Sequence, residues 1–188
     1  MLPANPLPDR IQGALFALAA YLAWGLLPIY LKWLYEVSAW EILAQRVVWS
    51  VVLLLGLLTV TGQLSTLKLP RRHWPWITLS AGLLTINWGA YIYAVIIDNI
   101  VEASLGYFIN PLVSVLLGMV FLGERLNRWQ FAAIVIAAFG IAFQLISYGS
   151  VPWIALALAF SFGLYGLVRK RMNVHAIGGL CIETLILL

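Results

Sequence analysis

Polar side chains able to bind a small molecule recur within long apolar stretches of this sequence. Amides and hydroxyls donate and accept hydrogen bonds, indole rings offer flat apolar faces, and a guanidinium attracts carboxylates. Such a set suits an amphipathic organic solute better than a bare ion, so we expect it to line a binding cavity. The candidate residues are Trp24, Pro28, Arg46, Asn87, Tyr91, Tyr107, Asn110, Ser114 and Tyr165.

One stripe of small and polar residues has helical spacing: Gly106, Asn110, Ser114 and Gly118 follow one another at i+4. On a helix they share one face. Such a stripe either lines a cavity or marks close packing between membrane helices. Pro111 favours the lining role, because it lacks the N–H that would bond the carbonyl of the preceding turn. For Asn87 and the other polar groups the alternative is hydrogen bonding between helices.

Three of the charged residues in or beside the apolar stretches are candidates for a role in the site: Arg46, Glu102 and Glu183. Arg46 is inside one, where insertion costs roughly 2.5 to 3.5 kcal/mol. It either faces a central cavity or extends to the outer interface and pairs with an acidic residue, Glu41 or Glu36. We expect Glu102 to be a solvated helix end rather than a titrating carboxylate. Glu183 lies deeper, in the last apolar stretch.

Continuous apolar runs supply the elements that must position these residues. Of the residues, 63% are hydrophobic and 10% charged, against about 25% charged in soluble proteins. Roughly 20 apolar residues of helix cross a bilayer, and continuous rather than alternating runs favour helices over a barrel. We predict an all-α polytopic membrane protein, in contact with the lipid bilayer, with six full transmembrane helices and a partial seventh. The runs are 11–31, 39–60, 76–97, 103–122, 129–146 and 151–168, with a shorter one at 176–188.

The basic residues indicate the orientation of these spans. Lys and Arg gather before the first run and after the second, fourth and sixth, while acidic residues occupy the alternate loops. Cytoplasmic loops retain positive charge, so the N-terminal segment 1–10 is predicted to be cytoplasmic. The net charge of +4 is thus a topology signal rather than a sign of nucleic-acid binding.

Other classes of protein fit the sequence poorly. Cys181 is the single cysteine, and His73 and His175 fall in basic loops, so we expect no metal site. Neither a glycine-rich phosphate loop nor an HExxH pair occurs, and no cofactor is expected. An intramembrane enzyme would need catalytic groups at membrane depth, and a retinal protein a lysine in its last span. We therefore expect a protein that is not an enzyme.

A weak internal repeat points to a carrier. Trp24-Gly25-Leu26 is matched by Tyr165-Gly166-Leu167, and Glu41-Ile42-Leu43 by Glu183-Thr184-Leu185. The matched spans are the first and the sixth, with four spans between them, so the copies cross in opposite directions. Inverted repeats are typical of secondary transporters. We expect a first five-helix repeat at 11–146 and the start of a second, inverted repeat at 151–188.

Four stretches resemble the RarD family, in the EamA-like branch of the drug/metabolite transporter superfamily. They are EILAQRVVWS (41–50), EASLGYFINPL (102–112), LGER (122–125) and AFSFGLYGLVRK (159–170). The resemblance implies a bacterial inner-membrane permease of the chloramphenicol-sensitivity type, with ten helices in two inverted repeats. The sequence departs from that plan by lacking helices 8 to 10 and most of helix 7.

The function expected from these patterns is secondary transport of a small polar or amphipathic organic solute by alternating access. Helices 1, 3 and 4 would form one wall of the central site. The alternative is a truncated, non-transporting fragment or a membrane assembly partner. Because faces meant for a second repeat would lack partners, we expect Asn87, Asn110 and Ser161 to face lipid. The 188-residue chain should then self-associate, as a homodimer for example, or be degraded quickly.

Overall fold

The computed structural model describes residues 9–188, and its regular structure in this range is entirely helical. Two short 3₁₀ turns, Leu64–Leu67 and Arg71–His73, lie between the second and third long helices. The α-helices are α1 (Asp9–Trp33), α2 (Ala39–Val60), α3 (Trp74–Ile96), α4 (Ile100–Leu122), α5 (Arg128–Tyr148), α6 (Trp153–Met172) and α7 (Ala176–Leu187).

The predicted fold class is confirmed. Six of these helices, α1 to α6, are long and apolar enough to cross a membrane, and α7 is a shorter apolar helix of 12 residues. Most helix ends lie within two residues of the predicted runs. The larger differences are at α4, which begins three residues earlier, and α6, which continues through three basic residues to Met172.

Local capping explains where several helices begin and end. The Ser38 side chain accepts from the backbone N–H of Glu41 at 3.3 Å and starts α2. A reciprocal pair of hydrogen bonds between Asn127 and Gln130 starts α5. Helix α4 ends at Gly123, whose φ of 67° suits a residue without a Cβ.

Two compact units make up the chain, and the boundary follows Glu36. The first contains α1, in which Pro28 lies within the helix and the rings of Tyr21 and Trp24 are 6.4 Å apart. The second contains α2 to α7. Of the predicted N-terminal segment, residues 1–8 lie outside the described residues.

Helix α6 is the centre of the second unit. On one side it packs against α4, where Leu105, Ile109 and Val113 contact Ala155 and Ala159. Buried Leu158 joins α6 to both α3 and α4. Helix α7 completes the packing against α3 and α2. In contrast, none of the α5 side chains is buried, as expected for a helix that faces lipid.

The basic loops meet at one end of the second unit. Residues after α2 and after α6 line a single cavity of about 590 Å³, which includes Lys68, Arg72, Arg171 and His175. At the same end of α6, Lys170 pairs with Glu124. The loops after α2, α4 and α6 therefore share one side, as the alternation of spans requires.

Helices α4 and α6 approach each other closely at Gly106. A Cβ atom added there would lie 2.9 Å from the Leu158 Cβ, 3.0 Å from the Ala155 carbonyl oxygen and 3.1 Å from the Ala155 Cα. Backbone atoms cannot move aside as a flexible side-chain end can. Helix packing at this point therefore requires glycine.

Gly106→Ala should lower the free energy of unfolding by about 1 to 3 kcal/mol, because the new methyl group overpacks the contact between α4 and α6. Gly140→Ala is the matched control, since a Cβ at this α5 position meets nothing within 4 Å. Unfolding in mixed micelles measures both. Equal stability of the two variants would contradict the packing described here.

Candidate functional site

Three helices bring one cation and three aromatic rings together. Arg46 of α2 lies over the Trp88 ring of α3, with its Cζ 4.0 Å from the ring centroid. Tyr91 of α3 meets Tyr107 of α4 edge to face, with centroids 5.8 Å apart and planes at 71°. Both phenol groups are close enough to interact electrostatically with the guanidinium. We call Arg46, Trp88, Tyr91 and Tyr107 the arginine–aromatic cluster.

The arginine–aromatic cluster is partly open. Arg46, Trp88 and Tyr91 are half-buried, and Tyr107 is 39% exposed. Arg46 is about 10 Å along α2 from its start, within the membrane-spanning length. Its observed contact is with Trp88, and the structure describes no ion pair between Arg46 and Glu41. A guanidinium held against an indole face keeps its edge N–H groups available to an acceptor.

Asn87 takes part in hydrogen bonds between α3 and α6. Its Nδ2 donates to the Leu158 carbonyl oxygen and to the Ser161 Oγ, each at 3.1 Å. Asn87 is 5% exposed and Ser161 is 4% exposed. The expectation that these two residues face lipid is therefore wrong, because they are hydrogen-bonded to each other between α3 and α6. A role for Asn87 in binding solute stays a prediction.

The α4 stripe divides into packing and polar positions. Gly106 contacts α6, and a Cβ at Gly118 would lie 2.6 Å from the Glu124 carboxylate. Between them, half-buried Asn110 accepts a hydrogen bond from exposed Ser114 at 3.3 Å. Ser114 also lines a cavity of about 190 Å³ between α4 and α6. The lining role of Asn110 and Ser114 stays a prediction.

Glu102 is buried, at 6% exposure, so the expectation of a solvated helix end is wrong. Its carboxylate accepts from Asn99 at 2.5 Å, from the Tyr148 hydroxyl at 3.0 Å and from the backbone N–H of Ile154 at 2.8 Å. Ile154 lies in the first turn of α6, where N–H groups lack helical acceptors. Glu102 therefore joins the starts of α4 and α6 to the end of α5.

Tyr165 belongs to a second polar group that the sequence did not identify as a site. Its hydroxyl donates to Glu183 Oε2 at 3.1 Å, while Ser80 and Arg169 approach Glu183 Oε1. Glu183 is fully buried. A signal was present, because a carboxylate within an apolar helix is rare in membrane proteins and marks function.

Trp24 and Pro28 both lie on α1, which forms its own unit. Their membership of the site stays a prediction. Among the described residues, no group of three or more His, Cys, Asp or Glu side chains is placed to hold a metal ion.

Comparison with known proteins shows the family. The model of the EamA-like transporter family matches residues 11–146, which is most of the chain. The chain belongs to the EamA-like transporter family, a class of multi-pass membrane proteins, in agreement with its six spans. No solved structure matches the chain.

Curated relatives place the chain close to the RarD proteins within that family. It is 51% identical to the protein RarD of Salmonella typhi, with 94% of this chain and 61% of the relative covered. It is 48% identical to an uncharacterized transporter of Vibrio cholerae, with 96% of this chain and 61% of that relative covered. It is 35% identical to the chloramphenicol-sensitive protein RarD of Pseudomonas aeruginosa, with 94% of this chain and 62% of that relative covered. The chain thus spans about three fifths of the length of these relatives.

Asn87→Leu should lower the free energy of unfolding by about 1 kcal/mol, the order of an interhelical hydrogen bond in a membrane. Asn110→Leu should change the free energy of unfolding by no more than about 0.5 kcal/mol, because the hydrogen bond of Asn110 is local and its side chain is half-buried. The two amide replacements form a matched pair on neighbouring helices. A similar loss of stability in both variants would show that Asn110 has a packing role instead.

Proposed function

We propose that this protein is a secondary transporter that moves a small polar or amphipathic organic solute across the bacterial inner membrane. Membership of a transporter family rests on the match of residues 11–146 to the family model. The observation that supports a solute of this chemistry is the arginine–aromatic cluster, in which a cation and three aromatic rings converge within the bundle.

The chemistry of this cluster favours a solute with an anionic or carbonyl group next to an apolar or aromatic part. The Arg46 guanidinium presents N–H donors in a planar fork that suits paired oxygen atoms. Trp88, Tyr91 and Tyr107 offer ring surfaces and phenol hydroxyls beside it. In the proposed site Asn110 and Ser114 extend the lining, and Asn87 fixes the α3 wall against α6.

The transport mechanism we propose is alternating access between a first repeat, residues 11–146, and a second, inverted repeat of which residues 151–188 form the start. Two features support it. Pro111 lies within α4 next to Asn110, and a proline within a helix permits bending there. The basic loops gather on one side of the second unit, which requires that successive helices cross in opposite directions. We place that side, with the N-terminus, in the cytoplasm.

Arg46→Ala should reduce transport by about tenfold, since the solute loses its charged partner, whereas Arg46→Lys should keep part of the activity. Chloramphenicol is the probe, because one relative is named for sensitivity to it. Cells expressing each variant are scored for chloramphenicol sensitivity, and membrane levels are measured by immunoblot.

The matched control for that experiment is Arg125→Ala, which removes an exposed arginine from the loop between α4 and α5. It should behave as the unaltered protein does. If Arg46→Ala preserves the full chloramphenicol phenotype at normal membrane levels, Arg46 does not contact the solute.

Single-cysteine labelling tests the proposed orientation. Cys181 is the only cysteine and is buried, so the unaltered protein should give little background with an impermeant thiol reagent. Arg71→Cys and Arg128→Cys should be labelled only after the cytoplasmic face is opened. Ser150→Cys, in the loop between α5 and α6, should be labelled in intact spheroplasts. The reverse pattern would invert the topology.

A further inference from the structure

The fully buried carboxylate of Glu183 is a second polar centre, separate from the arginine–aromatic cluster. It lies about 10 Å along α7 from the start of that helix. Ser80 Oγ of α3 is 2.5 Å from Glu183 Oε1, and the Tyr165 hydroxyl of α6 is 3.1 Å from Oε2. Arg169 Nη1 approaches Oε1 at 3.4 Å.

The hydrogen atoms around Ser80 can be arranged in two ways. Ser80 Oγ lies 2.5 Å from Glu183 Oε1 and 2.9 Å from the Ile77 carbonyl oxygen, and both are acceptors. A hydroxyl has one hydrogen, so it cannot donate fully to both. When Ser80 donates to Ile77, the short contact with Oε1 requires a proton on Glu183. When Ser80 donates to Oε1, Glu183 is ionised.

Arg169 also has two sets of partners. Besides the long contact with Glu183, its Nη2 donates to the carbonyl oxygens of Ala176 at 3.1 Å and His175 at 3.4 Å. These carbonyls lie at the turn between α6 and α7. The guanidinium can therefore keep hydrogen bonds there whether or not Glu183 carries a negative charge.

We propose that Glu183 is a reversible proton-binding site in this transporter. In the ionised form, Ser80, Tyr165 and Arg169 all donate to the carboxylate. In the protonated form, a proton from water forms an O–H bond at Oε1, Glu183 donates to Ser80, and Ser80 donates to Ile77. Tyr165 still donates to Oε2, and Arg169 donates to the carbonyl oxygens of His175 and Ala176. In each form every buried polar group of this centre has a hydrogen-bond partner, so neither form has the cost of a buried, unpaired polar group.

The surroundings of Glu183 leave Arg169 as the charged group that responds to this proton. Helix α3 contributes Ser80, and α6 contributes Tyr165 and Arg169. Helix α2 packs on α7 through Leu54 and Leu58, which contact Cys181. The 3₁₀ turn Leu64–Leu67 has no acidic or basic side chain. Protonation of Glu183 thus removes the negative charge that attracts Arg169, while Arg169 keeps its hydrogen bonds to the carbonyl oxygens of the turn between α6 and α7.

Infrared spectroscopy of the purified protein in lipid, without solute, tests the proposal directly. A protonated carboxyl group has a carbonyl stretch that an ionised carboxylate lacks. We expect such a band at about pH 6, where exposed carboxyl groups are ionised, and its loss as the pH is raised to about 10, a range that covers buried glutamates. Glu183→Gln should remove the band, and its amide can still donate to Ser80.

Glu102→Gln is the matched control, because Glu102 is also buried and accepts from three donors. The titrating band should survive that change. Ser80→Ala, which leaves Glu183 in place, should shift the band frequency because the proton loses its acceptor. The proposal is overturned if the unaltered protein has no titrating carboxyl band, or if the band persists in Glu183→Gln. Neither result depends on the solute site, whose test uses chloramphenicol.

Discussion

Hydrocarbon offers no hydrogen bonds, so a polar group within a membrane-spanning helix must find its partner inside the protein. This constraint organises the second unit. Asn87 joins α3 to α6, Glu102 joins α4, α5 and α6, and Glu183 joins α7 to α3 and α6. Among the described residues, no buried side-chain nitrogen or oxygen lacks a hydrogen-bond partner. Polar contacts thus specify which helices pack together, while the apolar surface alone would favour many arrangements.

The same constraint separates structural polar groups from those available to a solute. Asn87 and Glu102 are buried and fully engaged by other helices, so their hydrogen bonds support the fold. Arg46 is half-buried, and its described contact is the face of Trp88, which occupies none of its N–H donors. A half-buried cation at membrane depth, with no acceptor described for its N–H groups, is the feature that most favours solute binding.

Hydropathy predicted the spans well because each run is long and uninterrupted. It placed two helix ends less well, for a physical reason. Helix α4 begins before Glu102 and α6 continues through Arg169, since both charged residues have partners within the bundle. An apolar run ends at the first charged residue. A helix can continue past that residue when the charged side chain has a hydrogen-bond or ion-pair partner inside the protein. Three-dimensional pairing is absent from a hydropathy profile.

Side-chain partners were the least predictable part of the site. The i+4 stripe left two interpretations open, a cavity lining or close helix packing, and at Gly106 the structure has close packing. The expectation that Glu102 is solvated was wrong, because the position of a residue near the end of a span does not reveal which other helices bury it. Glu183 was undervalued, although a carboxylate in an apolar helix is itself a signal. Arg46 and Trp88 meet across two helices, and only the structure relates them.

The proposed function requires that the arginine–aromatic cluster faces a water-accessible cavity while the α5 surface faces lipid. Thiol reactivity tests it, because a thiol must ionise in water to react. In a background with Cys181→Ser, Tyr107→Cys should react rapidly with a small water-soluble thiol reagent, and addition of chloramphenicol should slow the reaction. Phe139→Cys, at an α5 position where the phenylalanine is 73% exposed, should stay unreactive. An unreactive cysteine at position 107, or equal reactivity at both positions, would contradict the account.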